Sequence, residues 1–89
     1  MWSVEWKLSA MDNLANDWIA ADSEERQQIT AAAHAVHENL SQDPFVKSES
    51  RLGNRRVMFC PPLVVEFVVN SDSRIVTMAQ VRFYRPRNK

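Results

Sequence analysis

The sequence predicts an α+β fold: an N-terminal strand, a two-helix hairpin, then a three-stranded antiparallel meander, all closing one sheet. Three observations lead there. The chain opens on an apolar/polar alternation, continues through two stretches of helical spacing, and ends in segments rich in Val, Ile, Phe and Met separated by turn residues. Helices grouped between strands, rather than alternating with them, point to a helical layer on one face of a mainly antiparallel sheet. The 89 residues are enough for a single domain, 1–89, close to the size at which one core becomes marginal.

Trp2, Val4, Trp6 and Leu8 alternate with Ser3, Glu5 and Lys7, the period of a half-buried strand with two tryptophans inward. Ser9, followed three residues on by Asp12, reads as a helix cap. Met11, Leu14, Ala15, Trp18 and Ile19 then mark a helix face, with Trp6 and Trp18 expected in the core. Asp22-Ser23-Glu24-Glu25 starts a second helix, because acidic groups suit the free N–H groups of a first turn. Its inner face carries Ile29, Ala33, Val36 and Leu40, and Asp43-Pro44 ends it, since the residue before proline avoids the helical region. Residues 44–54 read as a loop holding Gly53, the only glycine. Strands follow at 55–60, 63–70 and 74–84. Pro61-Pro62 and Asn70-Ser71-Asp72-Ser73 supply the turns.

The formal net charge of zero conceals a split. Residues 1–50 hold three cations against nine anions, and residues 51–89 hold eight cations against Glu66 and Asp72. Such asymmetry points to a polyanionic or acidic partner for the basic half, or to two halves that attract each other. No apolar run approaches the length of about 20 residues that spans a bilayer, and Met1-Trp2-Ser3-Val4-Glu5 lacks the pattern of a secretory signal. A cytoplasmic protein without membrane contact is expected. Cys60 is alone, so neither an intrachain disulfide nor a cysteine zinc cluster can form. His34 and His37 have no clustered carboxylate, so no metal site is assigned and no cofactor is expected.

Strand parity selects a candidate face. One set of positions (Leu63, Val65, Phe67 and Val69 on the strand 63–70) is apolar and is expected under the helices. The other is expected to gather Arg56, Glu66, Gln80, Arg82 and Tyr84, with Glu66 paired to Arg56 or Arg82 if the face is only structural. Arg51 in the loop is a candidate phosphate contact. Arg85-Pro86-Arg87-Asn88-Lys89 forms a basic tail.

The order of elements, together with Ser48-Glu49-Ser50-Arg51, Arg55-Arg56-Val57 and Pro61-Pro62-Leu63-Val64-Val65-Glu66-Phe67-Val68-Val69, resembles the RelE/ParE toxin superfamily. The resemblance implies a toxin of a bacterial type II toxin–antitoxin system, with a cognate antitoxin as partner. The RelE-like branch is a metal-independent endoribonuclease that cleaves mRNA on the ribosome. It uses second-strand cations, a third-strand arginine, a last-strand arginine and a late tyrosine. By that resemblance Arg56, Arg82 and Tyr84 are the catalytic candidates, and Arg51, Arg55, Arg56, Arg82 and Arg85 bind RNA or the partner. Met58 stands where a further cation is expected, and Val64, Val65 and Glu66 where the third-strand arginine is expected. The ParE-like branch, directed at DNA gyrase, requires no such set. The rival expectation is a degenerate, non-catalytic member of the fold that binds protein or nucleic acid.

Overall fold

A computed structural model describes residues 1–84. The chain runs β1 (Ser3–Trp6), α1 (Leu8–Ala20), α2 (Ser23–Gln42), β2 (Ser48–Ser50), β3 (Arg55–Cys60), β4 (Leu63–Asn70) and β5 (Ile75–Phe83). One sheet forms in the order β1-β5-β4-β3-β2, with β1 parallel to β5 and every other pairing antiparallel. The expected α+β class and the long-range attachment of the first strand are both present, the latter as Val4 beside Val76 and Trp6 beside Met78. No helix among the described residues is long and apolar enough to cross a membrane.

Three local expectations change. The stretch 44–54 is not all loop, because Ser48–Ser50 pairs with Arg56–Met58 as an edge strand. The last strand starts at Ile75, since Arg74 has a left-handed φ of 58° that cannot continue a strand. Ser9 is not a cap. Lys7 still donates its N–H to the Met78 carbonyl (3.1 Å), so β1 runs straight into the helix and Ser9 falls inside the first turn. The second helix is capped as expected. Asp22 Oδ1 accepts from the Glu25 N–H (2.8 Å), and Glu25 Oε1 accepts from the Asp22 N–H (3.1 Å).

Phe67, Val65, Leu63 and Val69 of β4 are buried with Val76, Met78 and Val81 of β5 and Ile29, Ala32, Val36 and Leu40 of α2. The helices therefore cover the face predicted for them. Trp2, Val4 and Trp6 pack at its margin, whereas Leu8 is exposed. Trp18, expected in the core, is 41% exposed. The reason is that α1 lies mainly along β5 and meets α2 only lightly. An open groove of about 680 Å³ remains between the helices, lined by Trp6, Met11, Leu14, Trp18, Ile19 and Ile29 among others. Trp18 Nε1 donates across it to Thr30 Oγ1 (3.3 Å). Arg26 lies over the Trp18 ring at 4.5 Å and donates to the carbonyls of Trp18 and Ile19, closing the end of α1.

A β-bulge interrupts the β4–β5 ladder. Glu66 faces Gln80 but Phe67 faces Met78, which leaves Ala79 without a partner. The extra residue reverses parity along β5. Val76 and Met78 point to the core before it, and Val81 does so after it. Gln80 and Arg82 thereby emerge on the uncovered face.

Candidate functional site

The uncovered side of the sheet carries a shallow concavity of about 240 Å³, lined by Arg51, Val57, Phe59, Val64, Glu66, Gln80 and Arg82. Register explains the membership. Val57 faces Glu66, Phe59 faces Val64, Val64 faces Arg82, and Glu66 faces Gln80, and directly opposed residues share a face. Phe59 is 56% exposed, an aromatic face presented to solvent beside cations.

A polar chain crosses this face. Arg55 Nη1 lies 3.9 Å from Glu66 Oε1. The Gln80 amide, oriented to satisfy both neighbours, donates to Glu66 Oε1 (3.2 Å) and accepts from Arg82 Nε and Nη2 (3.2 Å each). Arg51 Nη1 lies 3.4 Å from Glu49 Oε1. These pairs are half exposed, so each contributes under about 1 kcal/mol and a bound anion can displace them. Glu66 thus pairs with Arg55 rather than with Arg56 or Arg82.

The structure brings Arg51, Arg55, Glu66, Gln80 and Arg82 together but not Arg56 or Tyr84. Arg56 faces Phe67 across the ladder and so belongs to the helix side. There its Nε donates to Ser48 Oγ (2.6 Å), its Nη2 donates to the Ser48 carbonyl (3.0 Å), and its guanidinium lies 5.1 Å from the Phe45 ring centroid. Met58 and Cys60 share that side, and Met58 is buried. Tyr84 donates its backbone N–H to the Pro62 carbonyl (2.6 Å). Its exposed ring borders a different depression with Cys60, Pro61, Pro62 and the Ala31–Ala35 stretch of α2. Arg85 and the rest of the basic tail lie outside the described residues. His34 is exposed and lies 3.7 Å from Glu38. Among the described residues no three His, Cys, Asp or Glu side chains converge as a metal site.

Cleavage of RNA without a metal needs a proton acceptor for the 2′-OH, cations for the phosphate and a proton for the leaving oxygen. Glu66 supplies a carboxylate and Arg82 and Arg55 supply charge. Tyr84 is not positioned beside them, and no other described side chain in the concavity donates a proton readily. The place of Phe59 here was readable in principle. The two-residue Pro61-Pro62 turn pairs Cys60 with Leu63, and counting back by twos puts Met58 and Arg56 on the core side.

No family model matches the sequence, and no curated protein matches it significantly. Solved structures do. A chain of the toxin–antitoxin complex RelBE2 from Mycobacterium tuberculosis superposes with a TM-score of 0.74 at 12% identity, over 92% of this chain and 96% of that one. The YoeB/ParE toxin from Agrobacterium tumefaciens gives 0.63 at 19% identity, over 93% and 99%. The isolated RelE toxin of E. coli gives 0.60 at 12% identity, over 98% and 88%. At these identities the likeness is one of architecture, and it spans almost the whole chain: the protein has the RelE/ParE toxin fold.

Proposed function

We infer that the protein is the toxin-like component of a type II toxin–antitoxin module, inhibiting growth through translation or DNA gyrase and neutralised by an antitoxin protein. The observation that carries this reading is the near-complete structural correspondence with a chain of a toxin–antitoxin complex. The uncovered sheet face, with Arg51 and Arg82 lining the concavity beside Phe59 and Arg55 paired to Glu66, is the surface for the target. The apolar groove between α1 and α2 suits an amphipathic antitoxin helix. Asp12, Asp17, Asp22, Glu24, Glu25 and Glu38 against Arg26 alone make residues 8–42 acidic, so that helix carries basic residues beside its apolar stripe.

A second reading is favoured by one specific arrangement. Arg55 and Arg82 are tied to Glu66 and Gln80, while Arg56 is on the other side of the sheet. A face so arranged binds without cutting, as expected of a non-catalytic member of the fold.

Expression of the chain alone from an inducible promoter, with and without co-expression of any short antitoxin-like reading frame found beside its gene, tests the proposal. Growth arrest relieved by the neighbour is the expected result. Mapping of transcript ends and a supercoiling assay then separate translation from gyrase. Absence of arrest, cleavage and supercoiling change would leave the non-catalytic binding reading in place of the toxin.

A further inference from the structure

Positive charge without an acidic partner occurs away from the concavity as well as inside it, where Arg82 is held by Gln80 rather than by a carboxylate. Among the described residues, the ion pairs of Arg51 and Arg55 lie on the uncovered face. Arg56 and Arg74 have no carboxylate at ion-pair distance, and each rests instead on an aromatic ring. Arg56 stands 5.1 Å from the Phe45 centroid, Phe45 meets Trp2 edge-on at 5.7 Å with an interplanar angle of 80°, and Arg74 stands 5.4 Å from the Trp2 centroid. The result is a continuous ladder, Arg56–Phe45–Trp2–Arg74, at the end of the sheet beneath the C-terminus of α2. Trp2 is fixed there by its N–H bond to the Ser41 carbonyl (2.8 Å). Phe45 is 43% exposed, and Lys47 adds a third cation in the same segment.

Arg74 adds an independent clue. Its φ of 58° is a conformation that glycine adopts freely and that costs other residues backbone energy. An arginine held at such a position keeps its guanidinium at Trp2, and strain of this kind collects at ligand contacts. A guanidinium lying against a ring is restricted in orientation. Arg74 offers a planar fork of donors that suits a phosphate, and Arg56, whose Nε and Nη2 already donate to Ser48, adds its charge and its remaining N–H groups.

We propose that the Arg56–Phe45–Trp2–Arg74 ladder is a second nucleic-acid contact that grips single-stranded RNA, with phosphates at the two guanidinium groups and a base against the exposed Phe45 ring beside the half-buried Trp2. Alternating aromatic and guanidinium groups suit a single strand, whose unpaired bases stack while its backbone is neutralised. An acidic peptide uses the charges but gains little from the rings. The site stands apart from the toxin reading, because binding here requires neither antitoxin nor growth arrest.

The test is titration of a short labelled single-stranded RNA by fluorescence anisotropy across a salt series, with Trp emission followed in parallel. Arg74→Gly is the informative variant, because glycine relieves the left-handed backbone and preserves the fold. The expected result is a loss of affinity of about tenfold, the worth of one charge-assisted contact. The slope of log affinity against log salt falls by about 0.7. RNA quenches Trp emission in the wild type, and the quench is reduced in Trp2→Phe. Wild-type affinity and slope in Arg74→Gly, with Arg82→Gln alone weakening binding, would place all RNA on the other face and overturn the proposal. Polyglutamate binding that depends on Arg74, where RNA binding does not, would overturn it in favour of an acidic protein partner.

Discussion

Arg56 sits directly across the β3–β4 ladder from Phe67, and this one pairing carries its guanidinium to the helix side of the sheet. The two bonds to Ser48 make Arg56 the fastening of edge strand β2. Arg56→Ala is expected to lower stability by about 1–3 kcal/mol, the range for hydrogen bonds to a charged group. Chemical denaturation measures it. A loss of growth inhibition much larger than the loss of folded protein would show that Arg56 also touches the target.

Phe67 is completely buried at the centre of β4. Phe67→Ala should cost about 3–5 kcal/mol, combining lost transfer energy with the cavity left behind. A protein of this size has little stability in reserve, so the variant should melt far below the wild type or fail to fold. An unchanged melting temperature would contradict the placement of the core.

The two helix starts make a matched pair. Asp22→Ala removes a reciprocal capping box and should cost about 1 kcal/mol. Ser9→Ala removes no cap and should stay within about 0.5 kcal/mol. Parallel thermal melts compare them, and equal losses would mean that Ser9 stabilises the entry to α1 after all.

Under the proposed toxin function, Arg82→Ala should abolish growth inhibition with little change in stability, because Arg82 is exposed and its partner Gln80 can turn to solvent. Glu66→Gln should change stability by under about 1 kcal/mol while freeing Arg55. It should therefore tighten polyanion binding at low salt, an effect that fades as ionic strength rises. Weaker binding in Glu66→Gln would mean that the carboxylate itself contacts the ligand.

The element order was legible because it rests on strong local signals: alternation at Trp2-Val4-Trp6, the Asp22 cap, Pro44 and the turns at 61–62 and 70–73. The bounds 55–60 and 63–70 match the observed strands. The faces of the strands were harder to read. β3 has apolar residues in both phases, Val57 and Phe59 against Met58 and Cys60, so alternation alone does not orient it. In β5 the bulge opposite Glu66/Phe67 inverts parity halfway, and no residue there announces it. Arg82 is on the uncovered face as expected, but Arg56 and Tyr84 are not: the phase of β3 follows from the Pro61-Pro62 turn that pairs Cys60 with Leu63, not from apolar alternation, and Tyr84 lies past the end of β5. For Trp18, 41% exposed, periodicity marks an apolar helix face but does not say whether a neighbour covers it.

β5 lies between β1 and β4, so the last of the described strands joins the first to the rest of the sheet. Until translation has passed Phe83, the N-terminal strand has no partner and the inner face of β4 lacks one flank. Contacts between such distant parts of a chain form slowly, because a long loop must close before they repay the entropy. Before that point only β2, β3 and β4 have the partners they need to pair, and the two ends of the sheet stay apart. Closure of the sheet therefore waits on β5, the described strand farthest in sequence from the β1 it must meet.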